Sequence, residues 1–287
     1  MSGFIKHIKC LLKKHRLGFI LGLILSLVLI LFGFVQDNVL KVLCYLLTLF
    51  VSFLFSELYY HKKKPEYFDW LVLKPKTEFY VIVCTQVIVI SLMVYWFLII
   101  DQQTVSRVTM VLTMVLRILF VFPIFFLIYF LIIKKYSLKE LGILRFNHWY
   151  VGLPIILLIG GISYLFFSDG LQFKSVVEEN GYLSLFTFGF LMAAIPEEIT
   201  RNLLQSRMGK ILNRKSLAWF SASFVWAIIH IPLFTFKANG DYYSAATSAL
   251  GILPIGLLWG YLNERYKSII PSVLIHGTNL WGLHNIL

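Results

Sequence analysis

The segment of this chain that is most informative about its fold is Ala193-Ala194-Ile195-Pro196-Glu197-Glu198-Ile199-Thr200-Arg201-Asn202-Leu203-Leu204-Gln205. It places two adjacent carboxylates and a guanidinium directly after an apolar run. Charges inside a bilayer are costly and usually face a polar interior or a partner. On a helix, Arg201 is at i+4 from Glu197 and at i+3 from Glu198, so either carboxylate can pair with it. The other carboxylate then remains available for proton transfer, although the same pattern also fits an ion pair that only joins two helices.

The composition indicates a membrane protein. Of 287 residues, 59% are hydrophobic and 14% are charged, and the mean hydropathy is +0.81. A soluble domain has nearer a quarter of its residues charged. The net charge of +12 comes from basic residues in short loops, which report orientation in a membrane rather than nucleic-acid binding. The cysteines, Cys10, Cys44 and Cys84, show neither a disulfide framework nor metal-ligand spacing.

Nine apolar segments are long enough, at about 20 residues each, to cross a bilayer. They lie near 17–35, 39–58, 79–100, 108–133, 149–168, 183–206, 216–235, 245–263 and 269–286. We therefore predict an all-α, polytopic transmembrane bundle of eight or nine spans, the last of them short. The first segment is too long for a signal-peptide core and is interpreted as a retained span.

Basic residues alternate strongly between loops. One set of alternate loops contains 20 Lys and Arg residues, and the other contains only Lys41, Arg107, Lys174 and Lys237. By the positive-inside rule, this places the N-terminus in the cytoplasm and the C-terminus outside. We expect the loop Arg207–Ser216, just beyond the glutamates, to form a mouth of the site that opens toward the cytoplasm.

The two parts of the chain differ in their polar content. Residues 1–148 are predicted to form N-terminal spans without a motif, whereas residues 149–287 concentrate Glu, His and Asn within spans. His230 lies late in the seventh span, and His276 and Asn279 lie in the ninth. Imidazole titrates near neutral pH, and its nitrogens can donate or accept.

These residue types permit two chemistries. A carboxylate can take a proton from water held by an imidazole, while a second imidazole and an amide donate to an oxyanion. Alternatively, Glu197, His230 and His276 can bind zinc with a water in the fourth position. The zinc signature His-Glu-x-x-His is absent, so we expect no cofactor and keep zinc as the less favoured alternative. Both routes end in amide hydrolysis.

The ordered set of Glu-Glu…Arg, aromatic-x-x-x-His and His…Asn motifs resembles the CPBP intramembrane proteases, which include the type II CAAX prenyl endopeptidases. The resemblance covers roughly residues 145–287. It implies a glutamate-dependent endopeptidase, with Glu197 as base beside Glu198, Arg201 as the orienting group and His230 as the partner that holds water. It further implies that His276 and Asn279 stabilise the oxyanion, and that Trp226 is the motif aromatic.

Two spacings differ from the family pattern. Only Ile199 and Thr200 separate the glutamates from Arg201, where the family has three intervening residues, so an alternative alignment makes Glu197 the second glutamate. The last motif is His-x-x-Asn instead of His-x-x-x-Asn. The alternatives to an active protease are a non-catalytic scaffold or bacteriocin-immunity protein of the same fold, and a proton-coupled transporter.

The partners that these features predict are a lipid bilayer and a membrane-associated peptide or protein substrate, with no nucleic acid. The composition, rich in Ile, Leu, Phe and Lys and poor in Ala, is typical of an AT-rich bacterial genome. We therefore expect a multi-pass protein of a bacterial cell membrane, for which a prenylated substrate is less expected than a leader or signalling peptide.

Overall fold

The computed structural model describes residues 2–63, 69–95, 124–146, 148–166, 177–178 and 181–281, and the architecture is all-α. The helices are α1 Ser2–Lys14, α2 Arg16–Val35, α3 Val39–Lys63, α4 Pro75–Val94, α5 Ile124–Ile133, α6 Gly152–Phe166, α7 Tyr182–Leu212, α8 Lys215–Ile229, α9 Ile231–Lys237, α10 Tyr242–Tyr266 and α11 Ile270–Gly277. Short 3₁₀ turns cover Trp149–Val151 and Thr278–Trp281.

Six helices of the described residues are long and apolar enough to cross a membrane. They are α2, α3, α4, α7, the pair α8 and α9, and α10. Of the predicted segment near 108–133, only α5 lies within the described residues, and α5 is a π-helix. The ninth predicted segment is described as far as Trp281 and contains the short helix α11 and a 3₁₀ turn.

Two local predictions need correction. The first of the basic loops, which is predicted to contain Lys6, Lys9, Lys13 and Lys14, is instead the amphipathic helix α1. The predicted loop Arg207–Ser216 is also largely helical, since α7 continues to Leu212 and α8 begins at Lys215. Asn213 ends α7 in the left-handed conformation, with a φ of 50°, which asparagine tolerates better than most residues.

The helix α10 lies at the centre of the bundle. Sixty-one per cent of its apolar window is buried, against 22% for α2. Pro254 interrupts its hydrogen-bond ladder, and the hydroxyl of Tyr45 from α3 inserts there. That hydroxyl donates to the Gly251 carbonyl (3.1 Å) and accepts from the Ile255 amide (3.0 Å). A neighbouring helix therefore satisfies the backbone groups around the proline, as a membrane interior requires.

A charged cluster joins the helix ends at the basic end of the bundle. Asp69 accepts hydrogen bonds from Lys210 (2.9 Å) and Lys215 (3.0 Å), which lie at the end of α7 and the start of α8. Partial burial alone raises the pKa of Asp69, but the two lysines hold it well below its usual value. The cluster fixes the segment before α4 against the end of α7.

The core of the second half is built by α7, α8, α10 and α11. α8 packs against both α7 and α10, and α11 packs against α10, α6 and the π-helical part of α7. Each of these helices brings one polar group or more to the middle of the bundle, where they form the site described next.

Candidate active site

The glutamates lie at a change of helix type within α7. Residues Thr187–Ala194 are π-helical, and the α-helical part begins at Ile195, so Glu197 and Glu198 occupy its first turn. Single π-helical turns are frequent at functional sites. Because successive helical residues point in different directions, the two carboxylates face different surroundings. The side chain of Glu198 is fully buried, and that of Glu197 is 20% exposed.

Glu198 is held on three sides. Its Oε1 lies 3.1 Å from Nη2 of Arg201 and accepts a hydrogen bond of 3.0 Å from Nδ1 of His276. Its Oε2 accepts from the amide of Asn263 at 3.0 Å. A buried carboxylate with this many donors is compensated for the loss of water. Glu198 is therefore a fixed anchor for the groups around it.

Arg201 is the counterion at the centre of the cluster. Its side chain is fully buried, and Nη1 donates to the Gly256 carbonyl at 3.1 Å. The guanidinium also lies over the ring of Trp226, 4.2 Å from its centroid, and over that of Trp259 at 5.2 Å. These contacts combine an ion pair, a backbone hydrogen bond and two cation–π interactions.

Glu197 faces the two histidines. Its Oε2 accepts a hydrogen bond of 2.7 Å from the Trp226 indole and lies 3.6 Å from Nε2 of His230 and 3.7 Å from Nε2 of His276. The two longer distances exceed the range of a hydrogen bond. They do allow a single water molecule to lie within hydrogen-bond distance of Glu197 and of either histidine.

His230 lies at the break between α8 and α9, which is followed by Pro232. Its Nδ1 is 2.8 Å from the Trp226 carbonyl, and a carbonyl can only accept, so Nδ1 carries a proton. The neutral imidazole then presents a lone pair at Nε2, toward Glu197. By the same reasoning, His276 donates from Nδ1 to Glu198, and its ring stacks on Trp259 at 4.0 Å with an interplanar angle of 15°.

The short His276-to-Asn279 spacing coincides with a change of helix type. α11 ends at Gly277, and Thr278–Trp281 form a 3₁₀ turn. In a 3₁₀ helix, side chains at i and i+3 eclipse, whereas an α-helix brings i and i+4 together more closely. His276 and Asn279 both line the same cavity.

That cavity has a volume of about 620 Å³. Trp226, Trp259, His230, His276 and Asn279 contribute to its wall, and the rest of the lining is mostly apolar. No residue of Arg207–Ser216, where the sequence predicts the mouth, lines this cavity. Arg207 is instead buried and donates to Glu78 at 3.0 Å.

Asn279 lines the same cavity as His230 and His276, and the other predicted site residues are joined by the contacts described above. The structure adds further residues to this set. Asn263 and Trp259 are not among the residues predicted from sequence, and neither is Ser272, whose hydroxyl lies 2.5 Å from Oδ1 of Asn263. An amide within the apolar segment 245–263 is the pattern that points to Asn263. Nothing in the local sequence distinguishes Trp259 from other membrane tryptophans.

Gly256 is required by the close approach of α10 to Trp226. A Cβ at Gly256 lies 2.7 Å from the Trp226 ring, so we expect Gly256→Ala to displace the indole that donates to Glu197. Overpacking of this kind costs about 1–3 kcal/mol. The matched control is Gly161→Ala on α6, where a Cβ meets no atom within 4 Å. Thermal unfolding in detergent should show a midpoint below that of the wild type for Gly256→Ala but not for Gly161→Ala. Equal midpoints for the two variants contradict a requirement for glycine at position 256.

Among the residues that the structure describes, no group of three or more His, Cys, Asp or Glu side chains is arranged to hold a metal ion. The alternative in which Glu197, His230 and His276 bind zinc stays a prediction.

Fold and site together define a class: a polytopic helical membrane protein with a Glu/His/Asn cluster inside the bundle. Residues 179–281, which contain every candidate residue, match the family model described as Rce1-like, type II CAAX prenyl endopeptidase. The match covers just over a third of the chain, and it supports an assignment of this part to the CPBP family of CAAX-type membrane proteases. No curated protein and no solved structure matches the chain.

Proposed function

We propose that this protein is a glutamate-dependent intramembrane endopeptidase that cleaves a membrane-associated peptide or protein. The observation that carries the proposal is that Oε2 of Glu197 lies within 3.7 Å of Nε2 of both His230 and His276. Three polar segments far apart in sequence thus meet at one point beside a cavity. An ion pair that only joins helices does not need two imidazoles directed at a partly exposed carboxylate.

In the proposed reaction, a water molecule lies between Glu197 and His230. Glu197 takes its proton as the water oxygen attacks the carbonyl carbon of the scissile bond. When the tetrahedral intermediate collapses, the C–N bond breaks and the proton passes from Glu197 to the leaving amine. This assignment makes Glu197, not Glu198, the base, because Glu198 is occupied by Arg201, Asn263 and His276.

The oxyanion is assigned to His276 and Asn279. Both residues line the cavity beside Glu197, and preorganised donors of this type are worth about 10²–10³-fold in rate each. Donation from Nε2 of His276 requires the doubly protonated ring, whose charge faces the carboxylates of Glu197 and Glu198. The role of Arg201 is to position Glu198, and through it His276.

The function is tested with purified protein and two sets of internally quenched peptides, one plain and apolar and one with a farnesylated cysteine near the C-terminus. We expect cleavage of at least one set, with products identified by mass spectrometry. A zinc chelator added during purification and assay should leave the rate unchanged. Loss of activity that added zinc restores favours the zinc-dependent variant of the same hydrolase.

The second candidate is a non-catalytic scaffold or immunity protein of the same fold. It is favoured by the two motif spacings that are one residue shorter than in the family. Binding of either peptide set without cleavage by the wild-type protein supports this candidate. Cleavage that disappears when Glu197 is replaced rejects it.

A further inference from the structure

The cavity beside the site lies toward one end of the bundle. Its wall includes Phe32 and Gln36 at the end of α2, Lys237 at the end of α9, and Thr247 and Ser248 in the first turns of α10. The ring of Phe32 contacts Tyr243, with centroids 6.5 Å apart, so these helix ends lie at the same end of the bundle. Beyond the histidines, the cavity therefore extends toward the α2–α3 and α9–α10 connections.

The opposite end carries the basic connections. Lys210 and Lys215, on either side of the α7–α8 connection, contact Asp69, and Lys267, after α10, lies 4.0 Å from the same carboxylate. Ser268 donates to the carbonyl of Arg145, which brings the segment before α6 to this end as well. The cavity end, in the residues that the structure describes, carries Lys41 and Lys237.

The charge asymmetry assigns these ends to the two sides of the membrane. Loops rich in Lys and Arg stay in the cytoplasm, so the Asp69 end is cytoplasmic and the Lys237 end is extracytoplasmic. The predicted site residues lie between the ends. His230, His276 and Asn279 line the cavity, which extends from them toward the extracytoplasmic end. This is opposite to the side on which the sequence alone predicts the mouth.

We propose that the site is reached from the extracytoplasmic face, and that the occupant of the cavity is an extended, mainly apolar peptide segment exposed on that side of the membrane. The side of access follows from the fold and the charges, whereas cleavage of the segment rests on the proposed function. Apolar side chains of α2, α9 and α10, including Phe32, Phe234 and Ile252, provide a surface for such a segment.

The experiment is cysteine labelling in intact cells, in a background where Cys10, Cys44 and Cys84 are replaced by serine. The reporter is Ser248→Cys, a nearly isosteric change at an exposed residue of the cavity wall. The matched control is Ser137→Cys, an exposed residue at the basic end. A membrane-impermeant maleimide should label the first variant in intact cells and the second only after permeabilisation.

Two results overturn the proposal: labelling of Ser137→Cys but not Ser248→Cys in intact cells, and labelling of Ser248→Cys only after permeabilisation. Thr247→Cys, on the same wall, is the second reporter in case Ser248→Cys does not accumulate. A bulky maleimide at position 248 should also block cleavage of a peptide supplied from outside. External labelling without any cleavage leaves the side of access standing and rejects the proposed function instead.

Discussion

Replacing Glu197 by glutamine should reduce peptide cleavage by about 10²–10⁴-fold, the usual contribution of a general base. Glutamine keeps the size of the side chain and an oxygen that can accept from Trp226, which donates to Glu197 at 2.7 Å. It cannot take a proton from water. Because the side chain is partly exposed, the change does not strand a buried charge, and the thermal unfolding midpoint should remain that of the wild type. Steady-state cleavage and differential scanning fluorimetry on the same preparation measure both effects.

The comparison with Glu198→Gln separates chemistry from folding. Glu198 is fully buried against Arg201, so its replacement leaves a buried guanidinium without its carboxylate. We expect a lower unfolding midpoint for Glu198→Gln together with loss of activity, and for Glu197→Gln loss of activity alone. Glu140→Gln, in an exposed turn, should change neither. If Glu197→Gln retains cleavage while Glu198→Gln is stable and inactive, the assignment of the base is wrong.

Replacing Arg201 by alanine should have the largest effect on stability. Removal of one partner from a buried ion pair typically costs about 3–5 kcal/mol, because the remaining charge is left uncompensated. Here the variant also loses the hydrogen bond to Gly256 and the stacking on Trp226 and Trp259. The free energy of unfolding, from denaturation in detergent micelles, should fall by this amount. Arg214→Ala, at the exposed α7–α8 connection, should change it by less than about 0.5 kcal/mol.

A double variant tests the reason for that loss. Glu198→Leu combined with Arg201→Met replaces both charges by apolar groups of similar volume, a change that is often close to neutral in buried pairs. We therefore expect the double variant to be more stable than Arg201→Ala alone. Equal or greater destabilisation indicates that the guanidinium acts through packing on the tryptophans and not as a counterion.

Much of the bundle follows from local sequence. Apolar segments of bilayer length predict α2, α3 and α7, because in hydrocarbon a chain must satisfy its own backbone as a helix. The helical spacing allows Arg201 to pair with either glutamate, and the structure pairs it with Glu198 at 3.1 Å. The ends of helices are predicted less well: α7 continues to Leu212 because side chains such as Arg207 find buried partners in distant segments.

The amino-acid sequence alone predicts a helical membrane protein with an excess of positive charge in alternate loops. It also shows that Glu, His and Asn are concentrated in the apolar segments of the second half. These features can be predicted because segment length, charge and residue chemistry are local properties. The tertiary structure is needed to show that Glu197 faces His230 and His276 while Glu198 is buried. It is also needed to show that Asn263 contacts Glu198. The end of the bundle toward which the cavity extends is likewise visible only in the tertiary structure. Those features depend on how helices distant in sequence rotate and pack against one another, and a single helix does not specify its rotation.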